Sequence, residues 1–170
     1  MSASRQNKTE IMNALEHSFF ALMKEKSFSD FSIRDLCAYA GVGRSSFYRY
    51  YSSKEDVLSS ALFRHWHAWC DKNAIKERSK IGLESARSFI RYVYEWRKSF
   101  DMIYKNDLDH VFAHVIARNA MTVQDEKDYR KVFFEFGVFG MIKRWWEQGF
   151  VDPPEMLISM MESLFPHVVQ

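Results

Sequence analysis

Apolar positions recur along the chain at helical spacing, and no stretch shows the strict alternation of a half-buried strand. After a polar opening, MSASRQNKTE, expected to fray, Ile11, Leu15, Phe19, Leu22 and Met23 mark one face of a helix over about 8–23. Ser27-Phe28-Ser29-Asp30 interrupts it. Ser32 then precedes Ile33-Arg34-Asp35, a capping box with Asp in place of the preferred Glu, and opens a short helix to Ala40. Gly41-Val42-Gly43 ends that helix, Gly41 being suited to the left-handed residue after a helix. A second short helix is predicted over 44–50. Ser52 or Ser53 can cap a long helix that runs from 54 to the mid-70s. Further helices are predicted over 83–98, 101–104, 108–121 and 125–148, the last stopped by Gly149. A final helix runs to about 165, with Asp152 as cap and Pro153 in first position.

Composition agrees with an all-α fold. Only six Gly and three Pro occur in 170 residues, and no Pro precedes residue 153, which disfavours turn-rich β-architectures. Hydrophobic residues make up 47 % and aromatics 16 %, so the chain has ample material for a core and is not a disordered tail. Cys37 and Cys70 are too few and too far apart for a disulfide framework or a metal clip, and read as buried thiols in a reducing compartment. The longest apolar stretch, 132–146, is too short to span a bilayer and carries Glu135, Lys143 and Arg144. The expectation is a soluble cytoplasmic protein.

The formal charge of +2 gives no hint of nucleic acid, and residues 1–60 hold 8 basic against 7 acidic side chains. The placement is more informative. From Arg34 to Lys54 four cations, Arg34, Arg44, Arg49 and Lys54, face Asp35 alone. This segment is also the helix–glycine turn–helix of residues 32–50. Leu36, Ala40, Val42 and Phe47 can lock its two helices to each other and to the Ile11/Leu15/Phe19 face. The second helix then turns Arg44, Ser45, Ser46, Tyr48, Arg49 and Tyr50 outward. Arginines can reach guanine edges or phosphates, and hydroxyls can reach phosphate oxygens. On geometry alone an ordinary helix pair with a solvated polar face remains the alternative.

The string SIRDLCAYAGVGRSSFYRYYSSKEDVL, within a match over about residues 8–58, closely resembles the DNA-binding segment of the TetR/AcrR family of bacterial transcriptional repressors. Shared features are the Ser-initiated helix, the Ala-Gly-Val turn, the aromatic end of the second helix and the Ser-Lys-Glu that follows. Gly43 departs from the pattern, because the family usually has Ser or Thr at that cap. The resemblance implies an N-terminal three-helix helix-turn-helix DNA-binding domain at 1–53 and a C-terminal helical effector-binding and dimerisation domain at 54–170. By position it implies base-edge contact for Arg34, Arg44, Ser45 and Arg49. Phosphate contact is implied for Ser46, Tyr48, Tyr50 and Lys54, with Ser32 a lesser candidate because capping occupies its hydroxyl.

One such module reads few base pairs, so two are expected, spaced by about one turn of DNA. Residues 132–146, VFFEFGVFGMIKRWW, are apolar on most sides, so that one face can pack inside the domain and another on a second copy. A fully buried central helix in a monomer is the competing reading. With the final helix this stretch supplies a candidate dimer interface of Phe136, Gly137, Gly140, Met141, Trp145, Met156, Met160 and Leu164; the resemblance implies a four-helix bundle there. It also implies an apolar effector pocket, for which Phe63, Trp66, Tyr92, Trp96, Phe112 and Phe133 are candidates, although for each one taken singly filling the core is the simpler reading. The effector could be a small molecule or a protein partner.

His110 and His114 stand at i and i+4, with Asp107 one turn earlier, a spacing that could hold a metal; neither a metalloprotease Glu nor a cysteine pair accompanies them. No nucleophile–base context is present. The expectation is therefore a homodimeric regulator of a palindromic operator, a repressor released by its effector, with no enzymatic activity, cofactor, metal or membrane. The alternative is a protein of the same fold acting mainly through a protein partner.

Overall fold

The computed structural model describes residues 3–75, 82–121 and 129–164. Among them the chain forms nine α-helices and one 3-10 turn, with no strand: α1 (Ala3–Glu25), the turn (Phe28–Asp30), α2 (Ile33–Ala40), α3 (Arg44–Tyr48), α4 (Lys54–Lys72), α5 (Leu83–Glu95), α6 (Arg97–Tyr104), α7 (Asp109–Met121), α8 (Tyr129–Glu147) and α9 (Pro154–Leu164). The all-α fold is as expected, with local differences. α1 is already helical at Ala3, where fraying was expected. The run over 83–98 is two helices, broken at Trp96. α9 starts at Pro154, one residue later than the pattern implied, because Pro153 itself precedes a proline and is disfavoured from helical backbone, which leaves Pro154 in the first position. The expected start of α8 at 125–128 and the end of α9 at 165 lie outside the described residues.

The chain divides into two compact units, Met1–Leu62 and Phe63–Gln170, and the division falls within α4. In the first unit α1 packs on α2, and α2 on α3. Leu15, Phe19, Leu36, Phe47, Val57 and Leu58 are fully removed from solvent, which makes one core from α1, both short helices and the first turns of α4. The buried Tyr51 hydroxyl donates to the Glu16 carboxylate at 3.2 Å, satisfying two polar groups inside this unit.

In the second unit α5 packs against α6 and α9, and α8 against α6 and α7. Its core is rich in aromatic rings set among aliphatic side chains. Trp66 meets Phe89 and Tyr92 with ring centroids 5.1 and 5.2 Å apart, Tyr92 meets Phe100 at 5.9 Å, and Phe100 meets Phe112 at 4.9 Å and Trp146 at 5.5 Å. Most of these contacts are edge-to-face, the geometry that the ring quadrupole favours. Ion pairs fix helix to helix at the rim: Lys143 of α8 with Asp109 of α7 at 2.7 Å, and Arg87 of α5 with Glu162 of α9 at 2.5 Å. Among the described residues no helix is long and apolar enough to cross a membrane.

Candidate nucleic-acid interface

The capping box predicted for α2 is present. The Ser32 hydroxyl accepts from the Asp35 amide at 3.2 Å, while the Asp35 carboxylate accepts from the Ser32 amide at 2.9 Å and from its hydroxyl at 2.7 Å. These bonds, those of the hydroxyl first, hold the Asp35 carboxyl below the usual carboxylate range. At the other end of α2, Gly41 takes φ +63°, and the Val42 amide donates to the Cys37 carbonyl at 3.0 Å. A side chain at residue 41 would be strained in that conformation. The tight turn so formed sets the angle at which α3 leaves α2.

α3 is short, Arg44–Tyr48, with Gly43 as a cap lacking a side chain. Phe47 is its anchor: fully buried, edge-on to Tyr48 at 5.3 Å and tilted against Tyr51 at 5.8 Å. With Phe47 inward, Arg44, Ser45, Tyr48 and Arg49 are exposed, and Ser46 and Tyr50 are half-buried. Tyr48, although edge-on to Phe47, is 53 % exposed. Arg34 on α2 is 80 % exposed, with only a 4.0 Å approach to Asp35. Lys8 of α1 stands over the Tyr50 ring at 5.7 Å from its centroid, adding a cation beside the α3 exit. The Cys37 thiol is buried, which pushes its pKa up against the opposing pull of Arg44; it is a packing group.

Lys54 differs from the other candidates. Its ammonium is turned inward, donating to the backbone carbonyls of Phe28 and Phe31 and lying 3.9 and 4.3 Å from the centroids of their rings. Burial pulls its pKa down, against the fields of Glu55, Asp30 and Asp35. Nothing in the sequence signalled Phe28 and Phe31 as its partners, since they lie more than twenty residues away across a break in the helical pattern. At the start of α4 the Ser53 hydroxyl accepts from the Asp56 amide at 3.2 Å, and the Ser52 amide donates to the Asp56 carboxylate at 2.9 Å, so Ser53 is the cap.

The candidates of the second unit separate into two groups. Trp66, Tyr92 and Phe112 are buried and belong to one series of ring contacts, whereas Phe63, Trp96 and Phe133 stand at the surface. Burial pushes the Tyr92 phenol up. On α8, Phe136 is exposed, Gly137 and Met141 are half-buried and Gly140 is exposed; on α9, Met156, Met160 and Leu164 are exposed. Trp145 does not share that face. It is 2 % exposed, stacks on Tyr94 at 5.5 Å and donates through its indole to the Asp152 carbonyl at 2.9 Å. Helical spacing places it on the inner side of α8, where the chain's own α5 and the 150–152 turn cover it. Tyr129, Val132 and Phe133, by contrast, extend the exposed apolar stripe of α8 toward its start. His110 and His114 are exposed, and the His110 imidazole meets the Asp107 carbonyl at 2.9 Å. Among the described residues no three His, Cys, Asp or Glu side chains are grouped to hold a metal.

Two short helices at a glycine turn, buttressed by α1 and followed by a separate helical unit, define the class of helix-turn-helix transcription factors. Family comparison agrees. The model for bacterial regulatory proteins of the tetR family matches residues 20–61, and the one for the transcriptional regulator C-terminal region matches residues 82–167, just over half of the chain. The chain belongs to the TetR family and is a DNA-binding transcriptional regulator. No curated protein matches it.

Proposed function

We propose that the protein acts as a homodimer on a palindromic operator, represses transcription there, and is released when an effector binds its C-terminal unit. The observation that carries this reading is the division of α3, whose one large apolar residue is inside while Arg44, Ser45, Tyr48 and Arg49 are presented to solvent. These side chains, with Arg34 on α2, are the base-reading and phosphate-binding set; Ser46 and Tyr50 contribute phosphate contacts from the edges. The exposed stripe of Phe133, Phe136 and Gly140 on α8, with Met156, Met160 and Leu164 on α9, supports self-association through these two helices. An isologous interface of this kind places two recognition helices in two-fold relation, which a palindrome matches. Release needs an effector whose affinity differs between the DNA-fitting conformation and another. The buried Trp66–Tyr92–Phe112 series is the candidate site for an apolar ligand.

The test is selection of bound fragments from random double-stranded DNA by the purified protein. A palindromic consensus with half-sites about one helical turn apart is the expected result. Recovery of fragments without a shared half-site, with affinity set by salt alone, would count against sequence-specific repression and favour action through a protein partner.

A further inference from the structure

The family resemblance gave Lys54 a phosphate to hold, but its ammonium already has a site in the protein. The carbonyls of Phe28 and Phe31 lie within and just beyond a single 3-10 turn. Lys54 donates to both carbonyls. The two phenyl rings, themselves edge-to-face at 5.9 Å, flank the cation. The stem starts from a fixed point, because Ser53 and Asp56 cap α4 around it. At the other end, Phe31 is buried, and Ser32, which follows it, caps α2. One side chain thus ties the first residue of α4 to the residue immediately before the α2 cap. An ammonium engaged with a phosphate would have to give up both carbonyls and the faces of both rings.

We propose that Lys54 is a positioning residue: a cationic pin that fixes the entry of α2 to the start of α4 and so holds the helix-turn-helix in its DNA-reading pose, without itself touching DNA. This rests on the assignment of α3 as the recognition helix. It also makes the α2–α3 pair follow the first turn of α4.

The test compares the full-length wild type with Lys54→Met, which keeps the stem and removes the cation, and with Lys54→Arg, which restores a donor cation. Affinity for a DNA fragment recovered by selection is measured at several salt concentrations, with hydrogen exchange over residues 28–33. The pin predicts at least tenfold weaker binding by Lys54→Met, an unchanged slope of log affinity against log salt, at least tenfold faster exchange over 28–33, and partial recovery of both by Lys54→Arg. Loss of a phosphate contact would instead lower the salt slope by about one and leave exchange unchanged; that result overturns the proposal, as does wild-type behaviour of Lys54→Met in both measurements. Should Lys54→Met fail to fold, reductive methylation of the wild type decides. A pinned Lys54 reacts slowly with and without DNA, whereas a phosphate ligand reacts readily until DNA covers it. Exchange and methylation do not depend on α3 reading DNA, so a mistaken recognition helix and a mistaken pin give different results.

Discussion

Replacing Phe136 by Ala tests the dimer face where the structure makes its cost calculable. Phe136 lies on α8 with 55 % of its surface exposed, between Phe133 and Gly140 on the same stripe. Complete burial of a Phe side chain is worth about 1.5–3 kcal/mol. Burying the exposed 55 % against a second copy therefore contributes about 0.8–1.6 kcal/mol per protomer, by the same area proportion. An isologous interface contains the residue twice, so the dimer loses about 1.6–3.3 kcal/mol, roughly 15- to 250-fold in its dissociation constant. Sedimentation equilibrium over a range of protein concentrations reads that constant directly, and thermal unfolding under monomeric conditions reads the fold. The Phe136→Ala monomer should melt only a few degrees lower, since the part of the residue its own chain already covers contributes about 0.7–1.4 kcal/mol by the same proportion. Trp145→Ala is the contrasting case: it empties a buried site and should cost about 3–5 kcal/mol of folding stability. If Phe136→Ala and Phe133→Ala both dimerise within twofold of wild type while remaining folded, the α8 stripe is not the interface.

Three further outcomes follow from the geometry. The double variant Arg44→Ala/Arg49→Ala should bind the selected operator more weakly by about 1–3 kcal/mol per base-contacting arginine, with relaxed specificity, in a fluorescence-anisotropy titration; wild-type affinity would exclude α3 as the reading helix. Ser32→Ala should cost roughly 1 kcal/mol through loss of the α2 cap. Asp35 adds a pH dependence, because a carboxyl held low in the fold stabilises it above the unfolded carboxylate range and loses that contribution as pH falls through the depressed value. The stability gap between wild type and Ser32→Ala, read by denaturant titration, should therefore be narrower at acid pH than at pH 7. Glu135 on α8 is the opposite case: burial pushes its carboxyl up from 4.5 to about 7. Its contribution is full below the unfolded value and vanishes as pH rises through about 7, so Glu135→Gln should flatten the loss of stability between those values.

The helix-turn-helix was legible because its determinants are local. A capping box needs Ser32 and Asp35 three positions apart, a left-handed turn needs Gly41, and the inward Phe47 follows from the helical period; all are relations within one or two turns. The same locality makes the outward set on α3 readable from the string of residues alone. Which apolar residue of α8 faces inward was less accessible. A helix apolar on most sides gives no moment from which to orient it, so Trp145 and Phe136 look equivalent in the string, yet one is buried beneath Tyr94 and the other lies in solvent. The aromatic positions of the second unit have the same ambiguity: composition states that rings are present, and packing alone separates Trp66 and Phe112 inside from Trp96 and Phe133 outside. Lys54 shows the limit most sharply. Its charge, its place at a helix start and its family motif all point to phosphate, and none of them records that two carbonyls and two phenyl rings, brought near by the return of the chain, already surround the ammonium. Helix positions and turn chemistry are fixed by neighbours along the chain; the partner of a long, flexible cation is fixed by neighbours in space.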